Sequence, residues 1–152
     1  MTLSEQAPPP SSEQAERAAS TPSLSVPASP DQLGLLRAMA RTVAAHNNLS
    51  LDALADLVLA VDEAATTLIS HARSSNALTC AFGAHTDPSR LRVILTATTS
   101  SPVDTSTSSF GWLVLKTLVD DVVLEQTPIA TATTTGDRSV TITLEKALPA
   151  SS

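Results

Sequence analysis

The stretch that decides the fold runs from Leu57 to Ala72 and reads Leu-Val-Leu-Ala-Val-Asp-Glu-Ala-Ala-Thr-Thr-Leu-Ile-Ser-His-Ala. It contains neither glycine nor proline, and Ser50, a little upstream, is a residue type that caps helix N-termini well. The sequence therefore predicts one helix from Leu51 to Arg73, about 34 Å long at about 1.5 Å per residue.

This predicted helix has two sides that differ in chemistry. When each residue is advanced by about 100°, one side collects the apolar residues Leu54, Leu57, Val58, Val61, Ala65, Leu68, Ile69 and Ala72. The other side carries Glu63, Thr67 and His71, with Leu59, Ala60 and Ala64 beside them. Because the second side is too apolar and too small for an ordinary solvated surface, we expect a ligand or a neighbouring element to dock against it.

The elements around this helix follow from periodicity. Pro30 and Asp31 offer a helix entry, and the apolar spacing that follows predicts a helix from Asp31 to His46. A shorter helix is predicted from Phe110 to Leu118. Apolar alternation predicts strands at Ser23 to Val26, Leu78 to Phe82, Leu91 to Ala97, Val122 to Leu124 and Val140 to Leu144. This order predicts an α+β fold, a two-layer sandwich with helices on one face of a mostly antiparallel sheet.

The N-terminal part of the chain has a different composition. Six of the ten prolines fall within residues 1–30, where apolar residues are scarce. Such a segment cannot bury enough surface to offset its ordering entropy. We therefore expect a disordered Pro/Ser-rich tail over residues 1–22 and one domain over residues 23–148.

The composition also restricts the cellular compartment and the kinds of binding partner that we expect for this protein. The first residues lack the basic cluster and apolar run of a signal peptide, and the longest apolar run, Leu57 to Val61, is too short for a membrane span. We expect a soluble, cytoplasmic protein. Cys80 is the single cysteine and lies in an alternating apolar segment, which predicts a buried thiol. The 15 acidic and 9 basic residues disfavour nucleic acid and favour a basic partner surface.

Two segments resemble a known family. The stretch from Leu57 to Ala72 is similar to the "AvsEAxxNAxxHA" helix of bacterial anti-sigma factors of the RsbW type, relatives of the histidine kinase ATPase domain in the GHKL superfamily. The stretch from Ser108 to Val122 is similar to the family's "sGmGfxim…lmDdv" segment. The order and spacing of the elements agree from Ser23 to Lys146. The resemblance implies the Bergerat type of ATPase fold.

The resemblance also assigns roles to residues. Family members bind ATP with Mg²⁺, phosphorylate a serine of an anti-anti-sigma (STAS-domain) protein, sequester a sigma factor and commonly form homodimers. Glu63 matches the carboxylate that activates the attacking group, and His71 matches the histidine that closes the motif. Thr67 stands at the metal-binding position and Gly111 in the phosphate loop, so the implied cofactor-binding set is Glu63, Thr67, His71 and Gly111. Arg37 matches a first-helix arginine that contacts the partner proteins, and Arg41 lies one turn further along.

Several residues depart from the family pattern. Thr67 replaces the asparagine that holds Mg²⁺, and Ser109 replaces the first glycine of the phosphate loop. Ala97 and Thr99 replace the aspartate and glycine of the box that reads adenine. Glu63 can equally be a solvated helix carboxylate and Thr67 a tolerated polar residue. His71 can be a helix-end histidine bonded to backbone, and Arg37 an ordinary surface arginine.

Two functions remain open at this point. The first is an anti-sigma factor that holds a stress or sporulation sigma factor by protein contact and is countered by an anti-anti-sigma protein. The alternative is an active Mg-ATP-dependent serine-protein kinase that phosphorylates the anti-anti-sigma protein. A third possibility is a family member that only dimerises or scaffolds another regulator.

Overall fold

The structure, a computed structural model, describes residues 21–86, 89–105, 109–129 and 136–149. The tail expected over residues 1–22 lies outside the described residues except for Thr21 and Pro22, and Ser108 also lies outside them. The elements are β1 (Ser23–Pro27), a 3₁₀ turn (Pro30–Gln32), α1 (Leu33–His46), α2 (Leu51–His71), β2 (Ala77–Thr86), β3 (Ser89–Thr99), α3 (Phe110–Leu118), β4 (Asp121–Pro128) and β5 (Arg138–Ala147).

The five strands form one antiparallel sheet in the order β1-β2-β3-β5-β4. The helices pack on the face to which the alternate, buried strand residues point. Cys80, Leu95 and Ile142 stand side by side across three strands in this buried layer, each with no exposed surface. The α+β sandwich predicted from the sequence is therefore confirmed.

The long helix α2 begins and ends at residues with clear local causes. Ser50 caps it, because its hydroxyl accepts a hydrogen bond from the Ala53 amide at 3.1 Å. The helix ends at His71, two residues before the predicted end. Ala72 pairs with Thr99 of β3, and the Ser100 amide donates to the His71 carbonyl at 2.8 Å. The backbone at this point therefore bonds to the end of β3 instead of continuing the helix.

The entry to α1 also differs from the prediction. The sequence predicted a helix from Asp31, but Pro30–Gln32 form a 3₁₀ turn and the α-helix begins at Leu33. Proline at the first position fixes φ and lacks an amide hydrogen, which suits a short tight turn ahead of an α-helix. In the described part of the chain, no helix combines the length and the apolar character needed to cross a membrane.

The two faces of the sheet have different electrostatic character. Burial raises the pKa of the Cys80 thiol to about 12, so this side chain is a neutral core residue. On the outer face, Glu145 accepts hydrogen bonds from Arg92 at 2.8 and 2.9 Å and from Arg90 at 3.2 Å. The bonds from Arg92, reinforced by the charge of Arg90, lower the pKa of Glu145. Its contribution to stability is present at neutral pH and is lost as the pH falls through this lowered value.

Because α2 supplies so much of the core, truncation of one inward side chain has a large expected effect. Leu68 has no exposed surface, so we expect Leu68→Ala to lower the free energy of unfolding by about 3 kcal/mol through lost burial and a residual cavity. Urea denaturation measures this change. Leu51→Ala on the same helix is the matched control, because Leu51 is strongly exposed, and its substitution should change stability by less than about 0.5 kcal/mol. Equal effects of the two substitutions would contradict the packing described.

Candidate functional site

The second side of α2 is covered by α3 at one close contact. Gly111, the second residue of α3, lies so near Glu63 that a Cβ atom at this position would overlap the Glu63 carboxylate oxygen Oε1. Ala60 and Ala64, which flank Glu63 on α2, have no exposed surface. The prediction that another element or a ligand covers this side is confirmed, and the element is α3.

The ends of α3 fix how it lies on α2. Its first turn is capped by Ser109, whose hydroxyl accepts from the Trp112 amide at 3.4 Å. At its last turn, Lys146 of β5 donates to the Leu118 carbonyl at 2.8 Å and lies 3.6 Å from Asp56 of α2. The N-terminus of α3 therefore meets α2 at Glu63 and its C-terminus lies near the level of Asp56, so the two helices run antiparallel.

This arrangement places a carboxylate against a helix N-terminus. The first amide groups of an α-helix have no partner within the helix and carry partial positive charge. Such a position favours an anion. Here the half-buried side chain of Glu63 brings a carboxylate to the first turn of α3.

Thr67 and His71 follow Glu63 at successive turns of α2, and both bond within their own helix. The Thr67 hydroxyl donates to the Glu63 carbonyl at 2.9 Å. Nδ1 of His71 lies 2.9 Å from the Thr67 carbonyl, so a proton on this nitrogen would be donated to the helix backbone. The two side chains are half-buried. They share a face with Glu63, as the spacing predicted.

The end of β3 carries the two replaced residues of the adenine box. Ala97 has no polar side-chain atom, and Thr99 is fully buried with its hydroxyl donated to the Ser101 carbonyl at 2.9 Å. Across the sheet, Arg138 of β5 stands opposite Thr99. Its Nε atom is buried and has no hydrogen-bond partner within the described ranges.

Arg138 was missed by the sequence analysis. The signal was present, because Arg138 continues the two-residue alternation of Val140, Ile142 and Leu144 and therefore belongs to the helix-facing side of β5. Its place beside the box that should read adenine became visible only from the register between β3 and β5, since 39 residues separate Thr99 from Arg138 in the sequence.

These residues do not fit Mg-ATP in the manner that the resemblance implies. A carboxylate that could accept from the adenine amino group is replaced by Ala97, and the buried Nε atom of Arg138, opposite Thr99, can only donate. The gap beside Glu63 is filled by Gly111. The Thr67 hydroxyl is already bonded to its own helix.

The two arginines assigned to partner contacts lie on α1, away from α3. Nη1 of Arg37 donates to Oδ1 of Asp62 at 2.6 Å, which joins α1 to α2. Arg41, one turn further, is exposed and has no recorded ion pair with another described residue. Arg37 is thus part of the domain's own packing as well as its surface.

A groove of about 710 Å³ lies elsewhere. It is formed by the C-terminal half of α1 and the far end of the β2–β3 hairpin, with Met39, Val43, His46, Phe82, His85 and Leu91 in its walls. No residue predicted as part of the site contributes to these walls. A smaller groove, of about 330 Å³, lies between the start of α1 and the end of α2.

Comparison with known proteins agrees with this arrangement of helices and strands. The model of the histidine kinase-like ATPase domain matches residues 26–135, most of the chain. The chain belongs to the histidine kinase-like ATPase domain family. The family resemblance inferred from the α2 and α3 segments is confirmed.

Individual members of the histidine kinase-like ATPase domain family are also similar to this chain. Two proteins named anti-sigma-F factor RsbW, from two strains of Mycobacterium tuberculosis, are 38% identical over 103 residues, which are 65% of this chain and 58% of each relative. The chain therefore spans less than two thirds of the length of these relatives. A crystal structure of the RsbU and RsbW domains of a Mycobacterium tuberculosis protein matches with a TM-score of 0.57 at 21% identity, over 86% of this chain and 34% of that one. This second likeness concerns the fold.

The contact between Glu63 and Gly111 predicts a strong coupling between the two residues. We expect Gly111→Ala to be less favourable in the wild type than in a Glu63→Ala background, because the new methyl group must displace the end of the Glu63 side chain. In a Glu63→Ala background the same change should stabilise by about 0.5 kcal/mol, since alanine has the higher helix propensity. Thermal and urea unfolding of the four proteins in this double-mutant cycle measure the coupling.

Gly34→Ala is the control for helix propensity alone. A Cβ atom at Gly34 would meet only Arg37 Nη2, at an ordinary distance of 3.8 Å. Its effect should be the same with and without Glu63. If Gly111→Ala also had equal effects in both backgrounds, the close contact would be refuted.

Proposed function

We propose that this domain is an anti-sigma factor, which binds a sigma factor of the stress or sporulation class and thereby keeps it from transcription. Release would follow when an anti-anti-sigma protein of the STAS type competes for the same domain. The 38% identity to proteins named anti-sigma-F factor RsbW supports this proposal. We take residues 23–148 as the functional unit, acting in the cytoplasm as a homodimer.

The main observation that supports the proposal is the close contact between α3 and Glu63. The helices and sheet of the family are retained, whereas the space beside Glu63 is taken by Gly111 of the chain itself. A domain that keeps its scaffold but has replaced residues that would bind the nucleotide and Mg²⁺ is suited to act through its surface. Protein contact therefore explains the pattern of retained and replaced residues better than phosphoryl transfer does.

The α1 surface supports the same function. Arg37 and Arg41 present two guanidinium groups on one side of α1, and Arg37 is held in place by its 2.6 Å ion pair with Asp62. A pre-positioned arginine loses less side-chain entropy on binding than a free one does. Arginine is also enriched among the residues that dominate the free energy of protein association. We assign the first contacts with the sigma factor to this pair.

The second candidate function is an ATP-dependent serine-protein kinase. One observation favours it: Glu63, the residue assigned to activation of the attacking group, faces the first turn of a glycine-containing helix where phosphate oxygens could bind. Glu63 would act as base, and Thr67, His71 and Gly111 would contact the nucleotide and Mg²⁺. Opening of this site would require α3 to move off Glu63.

Binding of a sigma factor in the absence of nucleotide separates the two functions. We expect the purified domain to capture a stress-type sigma factor with equal affinity whether or not Mg-ATP is added. Arg37→Ala and Arg41→Ala should each weaken the complex about tenfold, a loss of about 1.4 kcal/mol. Titration calorimetry measures the affinity, and Trp112, which follows Gly111, reports nucleotide binding by its fluorescence.

Two controls make this experiment decisive. Asp62→Asn removes the ion pair of Arg37 but keeps the guanidinium, so it should weaken binding less than Arg37→Ala does. Arg73→Ala removes an exposed arginine at the other end of α2 and should leave the affinity unchanged. Saturable quenching of Trp112 by Mg-ATP, together with phosphate transfer to an anti-anti-sigma protein, would establish the kinase in place of nucleotide-independent binding.

A further inference from the structure

Three large apolar side chains remain exposed around the contact between α2 and α3. Leu59 of α2 is 55% exposed, and Phe110 and Leu113 of α3 are 80% and 46% exposed. Only three other large apolar residues in the described ranges are comparably exposed: Leu35, Leu51 and Val123. Half of the exposed apolar residues recorded therefore belong to one short region of the surface.

Leu59 and Phe110 each lie close in the sequence to a residue of the contact between Glu63 and Gly111. Leu59 lies one turn before Glu63 on the same side of α2, and Phe110 directly precedes Gly111, which touches Glu63. Leu113 lies three residues after Phe110, so these two side chains share a side of α3. We call Leu59, Phe110 and Leu113 the apolar patch.

The helix that carries Leu59 is acidic. Four residues of α2 bear carboxylates and none is lysine or arginine: Asp52, Asp56, Asp62 and Glu63. Asp62 pairs with Arg37, and Glu63 lies against the first turn of α3. The other two carboxylates, those of Asp52 and Asp56, lie in the N-terminal third of the helix.

These two carboxylates remain available to a partner. Asp52 is exposed, with no ion pair recorded to a described residue. Asp56 lies 3.6 Å from Lys146, which is too long for a direct hydrogen bond, and its side chain is still 43% exposed. The ammonium group of Lys146 is itself bonded to the Leu118 carbonyl at 2.8 Å. Asp52 therefore forms no ion pair with a described residue, although it lies in the first turn of α2, and the charge of Asp56 is compensated only in part.

Asp52, Asp56 and Leu59 follow one another along α2. Their spacing of four and three residues puts them on one strip of the helix surface, about 10 Å long at about 1.5 Å per residue. The strip ends beside the apolar patch. An occupant that matches it must therefore offer positive charge at one end and apolar side chains at the other, over about two turns of helix.

We propose that the apolar patch and the strip from Asp52 to Leu59 together bind a cationic amphipathic helix of the sigma factor. The inference rests on the proposed function and adds the second contact surface to it. Apolar side chains of this helix cover Leu59 and Phe110, while its lysines and arginines face Asp52 and Asp56. Amphipathic helices are commonly recognised through apolar residues spaced three and four apart.

Charge selects this occupant over a second copy of the chain. A symmetric contact would use the same surface of both copies and would therefore bring two acidic strips into one interface. The net charge of −6 adds to this repulsion. A basic helix instead neutralises exposed carboxylates and buries apolar surface in the same contact.

The test compares substitutions in the apolar patch with an equally simple substitution elsewhere. We expect the double variant Leu59→Gln with Phe110→Gln to weaken binding of the sigma factor more than about tenfold, because its apolar anchors are lost. Val123→Thr is the matched control, since Val123 is exposed on the edge strand β4 and threonine keeps its shape. Its affinity should equal that of the wild type. Circular dichroism and thermal unfolding of each variant verify that the fold is kept.

A charge variant tests the second half of the inference. Asp52→Asn with Asp56→Asn should weaken binding about threefold to tenfold at low salt, and the affinity of this variant should fall less steeply with added salt than that of the wild type. Glu125→Gln is the control, because Glu125 is exposed on β4, outside the strip, and this variant should behave as the wild type does. An unaltered salt dependence in the double variant would remove the electrostatic argument.

The outcomes distinguish this inference from the function on which it rests. If the wild-type domain captures no sigma factor, the proposed function fails. If the wild type binds but the Leu59/Phe110 variant binds equally tightly, only the present inference fails. Sedimentation analysis of the Leu59/Phe110 variant tests whether the apolar patch instead binds a second copy of the chain. Loss of a dimer in this variant, with binding of the sigma factor unchanged, would assign the patch to that second copy and overturn the inference.

Discussion

The contact between Glu63 and Gly111 is the constraint on which the rest of the structure depends. A Cβ atom at the second position of α3 would overlap the Glu63 carboxylate, so a larger residue there would displace the end of the Glu63 side chain. The contact sets the distance between α2 and α3, and the bond from Lys146 to the Leu118 carbonyl then fixes the direction of α3. Ala60 and Ala64 are buried, whereas Leu59 and Phe110 remain in solvent.

The same contact explains why surface binding is the favoured function within an ATPase-type fold. A helix N-terminus attracts anions, and here the anionic group beside it is Glu63 of the protein itself. At the end of β3, the acceptor needed for adenine is absent and the buried Nε of Arg138 offers a donor instead. The residues at the phosphate end and those at the adenine end of the expected nucleotide site therefore both disfavour ATP. The surfaces of α1, α2 and α3, in contrast, retain arginines, carboxylates and large apolar side chains that solvent reaches.

The fold could be predicted because its signals are local and repeat at a fixed spacing. Eight apolar residues on one side of the predicted long helix and the two-residue alternation around Cys80 were sufficient to predict the α+β sandwich. Boundaries failed where tertiary partners decide them. The prediction extended α2 to Arg73, but strand β3 binds the backbone of His71 and ends the helix there.

The site could be predicted only in part, because its decisive contacts join residues that are far apart in the sequence. The spacing of Glu63, Thr67 and His71 correctly placed them on one face of α2, and their small neighbours correctly indicated a covering element. Arg37 and Asp62, which form an ion pair, lie 25 positions apart in the sequence. Thr99 and Arg138, which stand opposite each other in the sheet, belong to different strands, β3 and β5. Neither pair is encoded in a local pattern. They depend on the packing of α1 and on the register of the sheet.

Hydrogen exchange of the α3 amides tests most directly whether α3 rests on Glu63 without a nucleotide. The amides of Leu115 to Leu118, which bond within the helix, should exchange slowly in the nucleotide-free protein, and millimolar Mg-ATP should leave their rates unchanged. Fast exchange of these amides in the free protein, followed by strong protection on addition of Mg-ATP, would show instead that α3 closes on a bound nucleotide and would contradict the arrangement described.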